Sequence, residues 1–218
     1  MLMESLGNIE MIRERKNFIR KLVFEGYKLF PCDERNKPNL NLQNFQHEFK
    51  EFNERLKVKI LQSDYLPSYN LAILTGELNQ LIVLDVDVEY MGTSVWESIL
   101  IRNNGKKDLD TFKVKTPGGG YHYYFSYDHQ NFHLMDSLYR PTLQGIGKVG
   151  IDLIAENGYV MVPFSLKKEK QYLPVNISPY LDFRDHLKPM PDWLYLFFRN
   201  SKEGILNRIT KKKTLKLL

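Results

Sequence analysis

The apolar residues of this chain follow two spacings, one typical of helices and one typical of strands. From Ile9 to Glu25 they recur every three or four positions between basic residues, which predicts an amphipathic helix that ends at Gly26. The segment Thr93–Arg102 has the same period, with Thr93 or Ser94 as its cap. Three further helices are predicted on the same grounds, at Phe45–Leu61, Pro191–Asn200 and Lys202–Leu217.

Alternating or continuously apolar runs between these helices predict strands. Tyr27–Phe30 is expected to stop at Pro31, because proline lacks the N–H that a strand ladder uses. The other predicted strands are Leu71–Leu74, Leu81–Val86, Thr111–Lys115, Tyr121–Tyr127, Val149–Ile154 and Tyr159–Val162. Short polar or glycine-rich links at Thr75–Asn79, Pro117–Gly120 and Glu156–Gly158 predict three hairpins. A helix–strand unit, a mixed sheet with few helices and a helical tail together indicate an α+β fold.

Composition restricts the possible classes of protein. The 218 residues suffice for one domain with a substantial core, in one or two lobes, but not for two large domains. A net charge of +5 suits a polyanionic partner, although many solvated surfaces are equally basic. Cys32 is the only cysteine, which excludes an internal disulfide and a zinc cluster of cysteines. No apolar run reaches membrane-spanning length and the first residues do not begin a signal peptide, so a cytoplasmic protein without membrane contact is expected.

The run Leu81–Asp87 places two aspartates at the end of an apolar strand. Because strand side chains alternate, Asp85 and Asp87 lie on one face and Val86 lies on the other. Two adjacent carboxylates repel each other unless a cation lies between them, and Mg²⁺ is typically held by carboxylates and substrate phosphates. The pair suggests metal-dependent phosphoryl chemistry. The alternative is a strand end with both aspartates solvated.

A glycine-rich turn and a histidine follow further along the chain. The glycines Gly118–Gly120 allow the backbone to approach a ligand closely, and their N–H groups can face an anion. His122 begins the next strand, where a histidine can bind a phosphate oxygen or move a proton. The alternative is an ordinary hairpin turn with a half-buried histidine.

Two later segments carry polar residues inside or after apolar strands. Asp152 interrupts an apolar strand, so it is either buried at a metal or paired on the solvent face with a lysine such as Lys148. Ser165, Lys167 and Lys168 follow the strand that starts at residue 159. These three either grip a triphosphate or a nucleic-acid backbone, or they form an ordinary strand end with solvated lysines.

The four residues Asp85, Asp87, His122 and Asp152 lie on three β segments in a characteristic order. This order resembles the primase-polymerase family of the archaeo-eukaryotic primase superfamily. Its three motifs are an Asp-x-Asp or Asp-x-Glu pair, a glycine-rich turn leading to a histidine, and an aspartate between apolar residues. The chain most resembles the versions found on archaeal plasmids, in phages and beside CRISPR loci. The resemblance covers Gly26–Lys168 and includes further similar segments at Gly26–Pro31, Lys37-Pro38, Asn70–Gly76 and Gly158–Ser165.

The resemblance implies a DNA-dependent DNA primase-polymerase. Its catalytic domain would span residues 1–190 in two lobes, an N-terminal αβ unit packed on an RRM-like mixed sheet, followed by a helical tail over residues 191–218. Asp85, Asp87 and Asp152 would hold two divalent ions, Mg²⁺ or Mn²⁺, for nucleotidyl transfer. The implied nucleotide-binding residues are His122, Thr116, Gly119, Gly120, Lys37, Ser165 and Lys167. The implied partners are a single-stranded DNA template, a primer and (deoxy)nucleoside triphosphates, with a helicase or CRISPR adaptation proteins as further candidates.

Many members of that family carry a serine in the glycine turn, whereas Gly118–Gly120 contains only glycine, which leaves no hydroxyl there for a nucleotide. Two other function classes also stay open. A degenerate relative would grip single-stranded nucleic acid without catalysis, although all four polar residues are present. A metal-dependent nuclease or an unrelated nucleotidyltransferase also uses clustered carboxylates, but does not need a glycine turn and a histidine between the second and third aspartates.

Overall fold

The computed structural model describes residues 2–39, 45–62, 65–104, 108–127, 138–139, 142–143, 147–156, 158–176 and 182–198. Its helices are α1 (Leu2–Phe24), α2 (Phe45–Gln62), α3 (Gly92–Asn104) and α4 (Phe183–His186), with a further helical segment at 192–198. The predicted helices are therefore confirmed except for Lys202–Leu217, which lies outside the described residues. The cap predicted at Thr93 or Ser94 is wrong, because α3 begins at Gly92, directly after a 3₁₀ turn at Glu89–Met91.

The strands are short and numerous. They are β1 (Leu29–Cys32), β2 (Asn70–Leu74), β3 (Leu81–Val86), β4 (Phe112–Lys115), β5 (Tyr121–Ser126), β6 (Leu138–Tyr139), β7 (Thr142–Leu143), β8 (Gly147–Lys148), β9 (Ile151–Ile154), β10 (Tyr159–Met161), β11 (Leu166–Lys167), β12 (Lys170–Gln171), β13 (Leu173–Pro174) and β14 (Lys188–Pro189). Contrary to expectation, β1 continues through Pro31. It lies at the edge of its sheet, where a strand tolerates proline because one side of it has no partner strand.

Two sheets form the framework of the described part of the chain. The large sheet has the strand order β13-β4-β5-β3-β9-β6 with antiparallel neighbours, and β14 runs parallel to the end of β5. The small sheet has the order β1-β2-β10 and is also antiparallel. The pairs β11–β12 and β7–β8 form separate two-stranded ribbons. Helices combined with a mainly antiparallel sheet confirm the α+β fold class.

Two of the three predicted hairpins are wrong. The strand β2 pairs with β1 and β10, whereas β3 pairs with β5 and β9, so the link Thr75–Asn79 carries the chain from the small sheet to the large one. The chain likewise leaves β9 in the large sheet and enters β10 in the small one. Turn residues indicate where a strand ends, but its partner depends on which edges distant strands occupy. The hairpin β4–β5 across Pro117–Gly120 is confirmed.

Apolar side chains cover both faces of the large sheet. In β3, Leu81 and Val83 pack in the core that includes α1, α2 and the small sheet, whereas Ile82 and Val86 pack against α3 on the other face. Burial on both faces explains the unbroken apolar run in the sequence. By alternation Asp85 lies on the face of Leu81 and Val83, which is the face that the small sheet packs against.

The segment 192–198 belongs to the layer on the α3 side, because Leu194 and Phe198 are fully buried in the same core cluster as Ile82. The domain boundary at residue 190 stays a prediction, and most of the predicted tail lies outside the described residues. Of the helices that the structure describes, none combines the length and the apolarity needed to cross a bilayer.

Candidate active site

Three of the predicted polar residues lie side by side on one face of the large sheet. In the pairing of β3 with β5, Asp85 stands opposite His122, and in the pairing of β3 with β9, Asp85 stands opposite Asp152. The Nε2 atom of His122 lies 3.4 Å from Oδ1 of Asp85. His122 and Asp152 are buried and Asp85 is half-buried. Asp152 therefore does not lie on a solvent face. We call these three candidate catalytic residues the catalytic row.

Asp87 lies at the end of this row. It follows the last residue of β3, and its side chain is exposed. Its N–H donates a hydrogen bond of 2.8 Å to the carbonyl of Gly150, which immediately precedes β9. This bond ties the end of β3 to the strand that carries Asp152.

The catalytic row contains the kind of side chain that binds a divalent cation. Mg²⁺ and Mn²⁺ prefer carboxylate oxygens, and Asp85 and Asp152 are adjacent carboxylates that repel each other when no cation is near. Within the described residues, however, no three side chains of His, Cys, Asp or Glu are already arranged as a metal cage. Asp87 at the surface would have to turn toward the other two carboxylates to complete a set of three.

Close backbone packing determines where the chain leaves β3. A side-chain Cβ at Gly120 would overlap the carbonyl oxygen of Val86, and one at Gly150 would overlap the carbonyl oxygen of Glu89. Two neighbouring segments thus press against the residues on either side of Asp87. The importance of Gly150 was not predicted from the sequence, although its position two residues before Asp152 was a usable signal.

The environment of His122 keeps its imidazole neutral. Burial, with a smaller contribution from the positive charge of Lys167, lowers the pKa of His122 to about 4. A neutral imidazole has one N–H donor and one acceptor nitrogen. Its Nδ1 is buried and has no hydrogen-bond partner among the described residues. A buried ring nitrogen of this kind is suited to an oxygen atom supplied by a ligand.

A cavity of about 920 Å³ opens beside the glycine turn. Its polar and turn residues include Thr116, Gly119, Arg15, Lys115 and Lys170. The three cationic side chains, Arg15, Lys115 and Lys170, come from α1, β4 and β12. Glu169 is the one acidic residue in the described lining. The volume is typical of a small-molecule site, and the excess of positive charge favours an anionic ligand.

The remaining predicted ligands differ in their surroundings. Ser165 is buried, and its hydroxyl donates a hydrogen bond of 3.3 Å to the Leu71 carbonyl of β2, so it joins two parts of the core. The Gly119 N–H donates to the Thr116 carbonyl at 2.9 Å and closes the glycine turn. Lys37 is exposed in a tight turn after β1. These contacts give Ser165 and the Gly119 N–H structural roles in this conformation.

Two residues beside the row were not singled out from the sequence. The ring of Tyr172 lies 5.6 Å from the ring of His122, centroid to centroid. Asn36 donates a hydrogen bond of 3.4 Å to the hydroxyl of Tyr172. These residues are 136 positions apart, and no local pattern connects them.

The comparison with protein families agrees with this geometry. The family model described as "Bifunctional DNA primase/polymerase, N-terminal" matches residues 20–193, which include both sheets, the catalytic row and the glycine turn. No curated protein matches the chain. The family match supports a DNA primase/polymerase-type function in general, with nucleotidyl transfer as the class of reaction. The chain belongs to the bifunctional DNA primase/polymerase (Prim-Pol) family.

Proposed function

We propose that the protein is a DNA-dependent DNA primase-polymerase that synthesises or extends primers on single-stranded DNA. One observation carries the proposal: Asp85, His122 and Asp152 lie side by side on neighbouring strands, and Asp87 follows at the end of β3. The row combines carboxylates suited to cations with a neutral imidazole suited to a phosphate oxygen. Positioning and charge stabilisation of this kind supply most of the catalysis in phosphoryl transfer.

In the proposed reaction, the 3′ oxygen of a primer or of a first nucleotide attacks the α-phosphorus of an incoming nucleoside triphosphate. A new phosphorus–oxygen bond forms, the bond from the α-phosphorus to the bridging oxygen breaks, pyrophosphate leaves, and the proton of the attacking hydroxyl passes to water. Asp85, Asp87 and Asp152 would hold two divalent ions, Mg²⁺ or Mn²⁺. The ions would lower the pKa of the attacking hydroxyl and neutralise the charge of the triphosphate.

The residues of the chain would place the triphosphate. His122, neutral at pH 7, would donate a ring N–H to a phosphate oxygen, and the nearby charge of Lys167 would favour the anion. The cavity beside the glycine turn would receive part of the nucleotide, with Thr116 in its wall. The N–H of Gly120 is the backbone donor that we assign to the phosphates, and Lys37 stays a candidate for phosphate or template contact.

Primer extension on single-stranded DNA with Mg²⁺ or Mn²⁺ tests the reaction. The double variant Asp85→Ala, Asp87→Ala should lose extension, because it removes two of the three cation ligands. Asp110→Ala is a control matched to Asp87, since Asp110 is also exposed but lies outside the row. A double variant that extends a labelled primer at the wild-type rate would refute the proposal.

A second variant tests the phosphate role of His122 separately. His122→Ala should sharply weaken nucleotide binding in calorimetry while the circular dichroism spectrum stays that of the wild type. Unchanged nucleotide affinity would show that His122 does not contact the triphosphate.

The same labelled strands distinguish the other function classes. Lengthening with nucleotides supports a polymerase, shortening with metal alone indicates a nuclease, and binding with neither indicates a non-catalytic module. A helicase or CRISPR adaptation protein as partner and a cytoplasmic location stay predictions.

A further inference from the structure

Two asparagines and a tyrosine connect the small sheet to the segment between β12 and β13, next to the catalytic row. The side-chain Nδ2 of Asn36 donates to the hydroxyl of Tyr172 at 3.4 Å, and Nδ2 of Asn70 donates to Oδ1 of Asn36 at 3.2 Å. Asn36 follows β1 and Asn70 begins β2, whereas Tyr172 follows β12. We call this set of three residues the polar bridge.

Asn70 also holds the ribbon β11–β12 in place. Its Nδ2 donates to the carbonyl of Leu166 at 2.6 Å, and its Oδ1 accepts from the Leu166 N–H at 2.9 Å. A side chain that pairs with both backbone groups of one residue acts as an additional strand partner. The position of Lys167, the next residue, is therefore coupled to β2 through Asn70.

Tyr172 connects the polar bridge to His122. Its backbone is held at both groups, because its carbonyl accepts from the Phe164 N–H at 2.7 Å and its N–H donates to the Ser165 carbonyl at 3.1 Å. Its side chain is buried, and its ring is tilted by 37° against the His122 ring at 5.6 Å. The Tyr172 ring therefore restricts the orientation of the imidazole from one side.

Asn36 determines the shape of the turn that presents Lys37. Its backbone is left-handed, with φ 62°, a conformation that asparagine tolerates better than most residues. One carboxylate oxygen of Asp33 accepts from the N–H groups of Arg35 and Lys37, at 2.9 and 2.8 Å. The turn is thus closed on itself, and within the described structure the Asn36 side chain connects it to Tyr172.

We propose that Asn36 and Tyr172 are positioning residues. They hold the turn at Lys37 and the ribbon β11–β12, which carries Lys167, in fixed positions relative to His122. In this arrangement the side chains of Lys37, Lys167 and His122 bind one triphosphate. The inference rests on the proposed function, since it assumes a nucleoside triphosphate as the ligand. Hydrogen bonds are directional, so a polar bridge defines one relative placement of these segments where an apolar contact would allow sliding.

Equilibrium binding of deoxyadenosine triphosphate with Mg²⁺, measured by calorimetry, tests this placement without requiring catalysis. Asn36→Gly keeps the left-handed backbone and removes the bridge, and Tyr172→Phe removes only the hydroxyl. Each variant should weaken binding about tenfold, which corresponds to about 1.4 kcal/mol. The double variant should lose no more than Asn36→Gly alone, because that variant already removes the bond between Asn36 and the Tyr172 hydroxyl, together with the bond from Asn70.

Tyr65→Phe is the matched control, because the hydroxyl of Tyr65 lies 3.4 Å from that of Tyr69 rather than in the polar bridge. Its affinity should equal that of the wild type. A purely structural role of Asn36 and Tyr172 would lower the melting temperature and leave the affinity of the folded protein unchanged, and that result would overturn the inference. Independent, additive losses in the double variant would overturn it as well.

Primer extension by the same variants separates the inference from the proposed function. The expected result is a raised KM for the nucleotide with kcat changed by less than about twofold. If the wild type binds the triphosphate but does not extend primers, the proposed function fails while the binding comparison still decides the role of the bridge. If the wild type does not bind the triphosphate, both fail.

Discussion

Replacing Gly120 with alanine should disable the catalytic row while most of the fold stays in place. A Cβ at this position would overlap the carbonyl oxygen of Val86 and would lie 3.1 Å from the Cα of Asp87. Both obstacles are backbone atoms, so no flexible side chain can move aside. The strands β3 and β5 must separate at the end of the sheet that carries the carboxylate pair.

The size of the effect follows from this overlap. Real Cβ atoms essentially never come within 3.0 Å of a backbone atom, so the carbonyl of Val86, whose peptide bond leads into Asp87, must shift by roughly 1 Å. A misplacement of about 1 Å at a catalytic centre costs about 10²-fold in rate. Overpacking costs about 1–3 kcal/mol of stability, and each kcal/mol lowers the melting temperature of a chain of this size by about 2–4 °C.

Gly118→Ala is the matched control in the same turn. A Cβ at Gly118 would meet only the Thr116 hydroxyl oxygen at 3.8 Å, an ordinary contact. We expect wild-type primer extension and a stability within about 0.5 kcal/mol of the wild type. Equal loss of extension in both variants would show that turn flexibility matters rather than close packing. Wild-type extension by Gly120→Ala would refute the reasoning directly.

Three further changes test other parts of the structure. Asp152→Asn should raise the melting temperature of the metal-free protein, because it removes repulsion between neighbouring carboxylates, and should abolish stabilisation by Mn²⁺; a lower metal-free melting temperature would contradict this. Asn53→Ala should cost about 2–4 kcal/mol in urea unfolding, because buried Asn53 pairs with the N–H and the carbonyl of Leu29, at 2.9 and 2.8 Å; an unchanged midpoint would exclude this role. Burial raises the pKa of Cys32 to about 12, so alkylation at pH 8 should be negligible until urea unfolds the protein, and equal rates in both states would contradict the burial. The folded thiol keeps its proton between pH 9 and 12 where the unfolded thiol loses it, so its contribution to stability should fall as pH rises through that range.

Much of the secondary structure was predictable because it depends on neighbouring residues. The periods of α1, α2 and β3 are visible in the chain, and the glycine turn between β4 and β5 indicates its own hairpin. The links after β2 and β9 look similar in sequence, yet each leads to the other sheet. A turn signal describes local backbone geometry and contains no information about which strand edge is already occupied.

The sequence was sufficient to identify the polar residues of the site, but it did not show how they are arranged in the fold. The order of Asp85, Asp87, His122 and Asp152 was sufficient for the family resemblance, and the family match agrees with it. Ser165 was a weaker candidate for a phosphate contact in the sequence, and its hydroxyl is bonded in the core. A hydroxyl after a strand can face either way, and only its surroundings decide which.

By itself, the sequence determined the α+β class, the three motifs and their order, because these depend on residue types and on spacing along the chain. Tertiary structure decided the cross-strand register that puts Asp85 between His122 and Asp152, and it decided the contact of Tyr172 with His122 and Asn36. The physical reason is that register and long-range contacts depend on how the whole core packs. The side chains that share one row are therefore selected by residues far away in the chain.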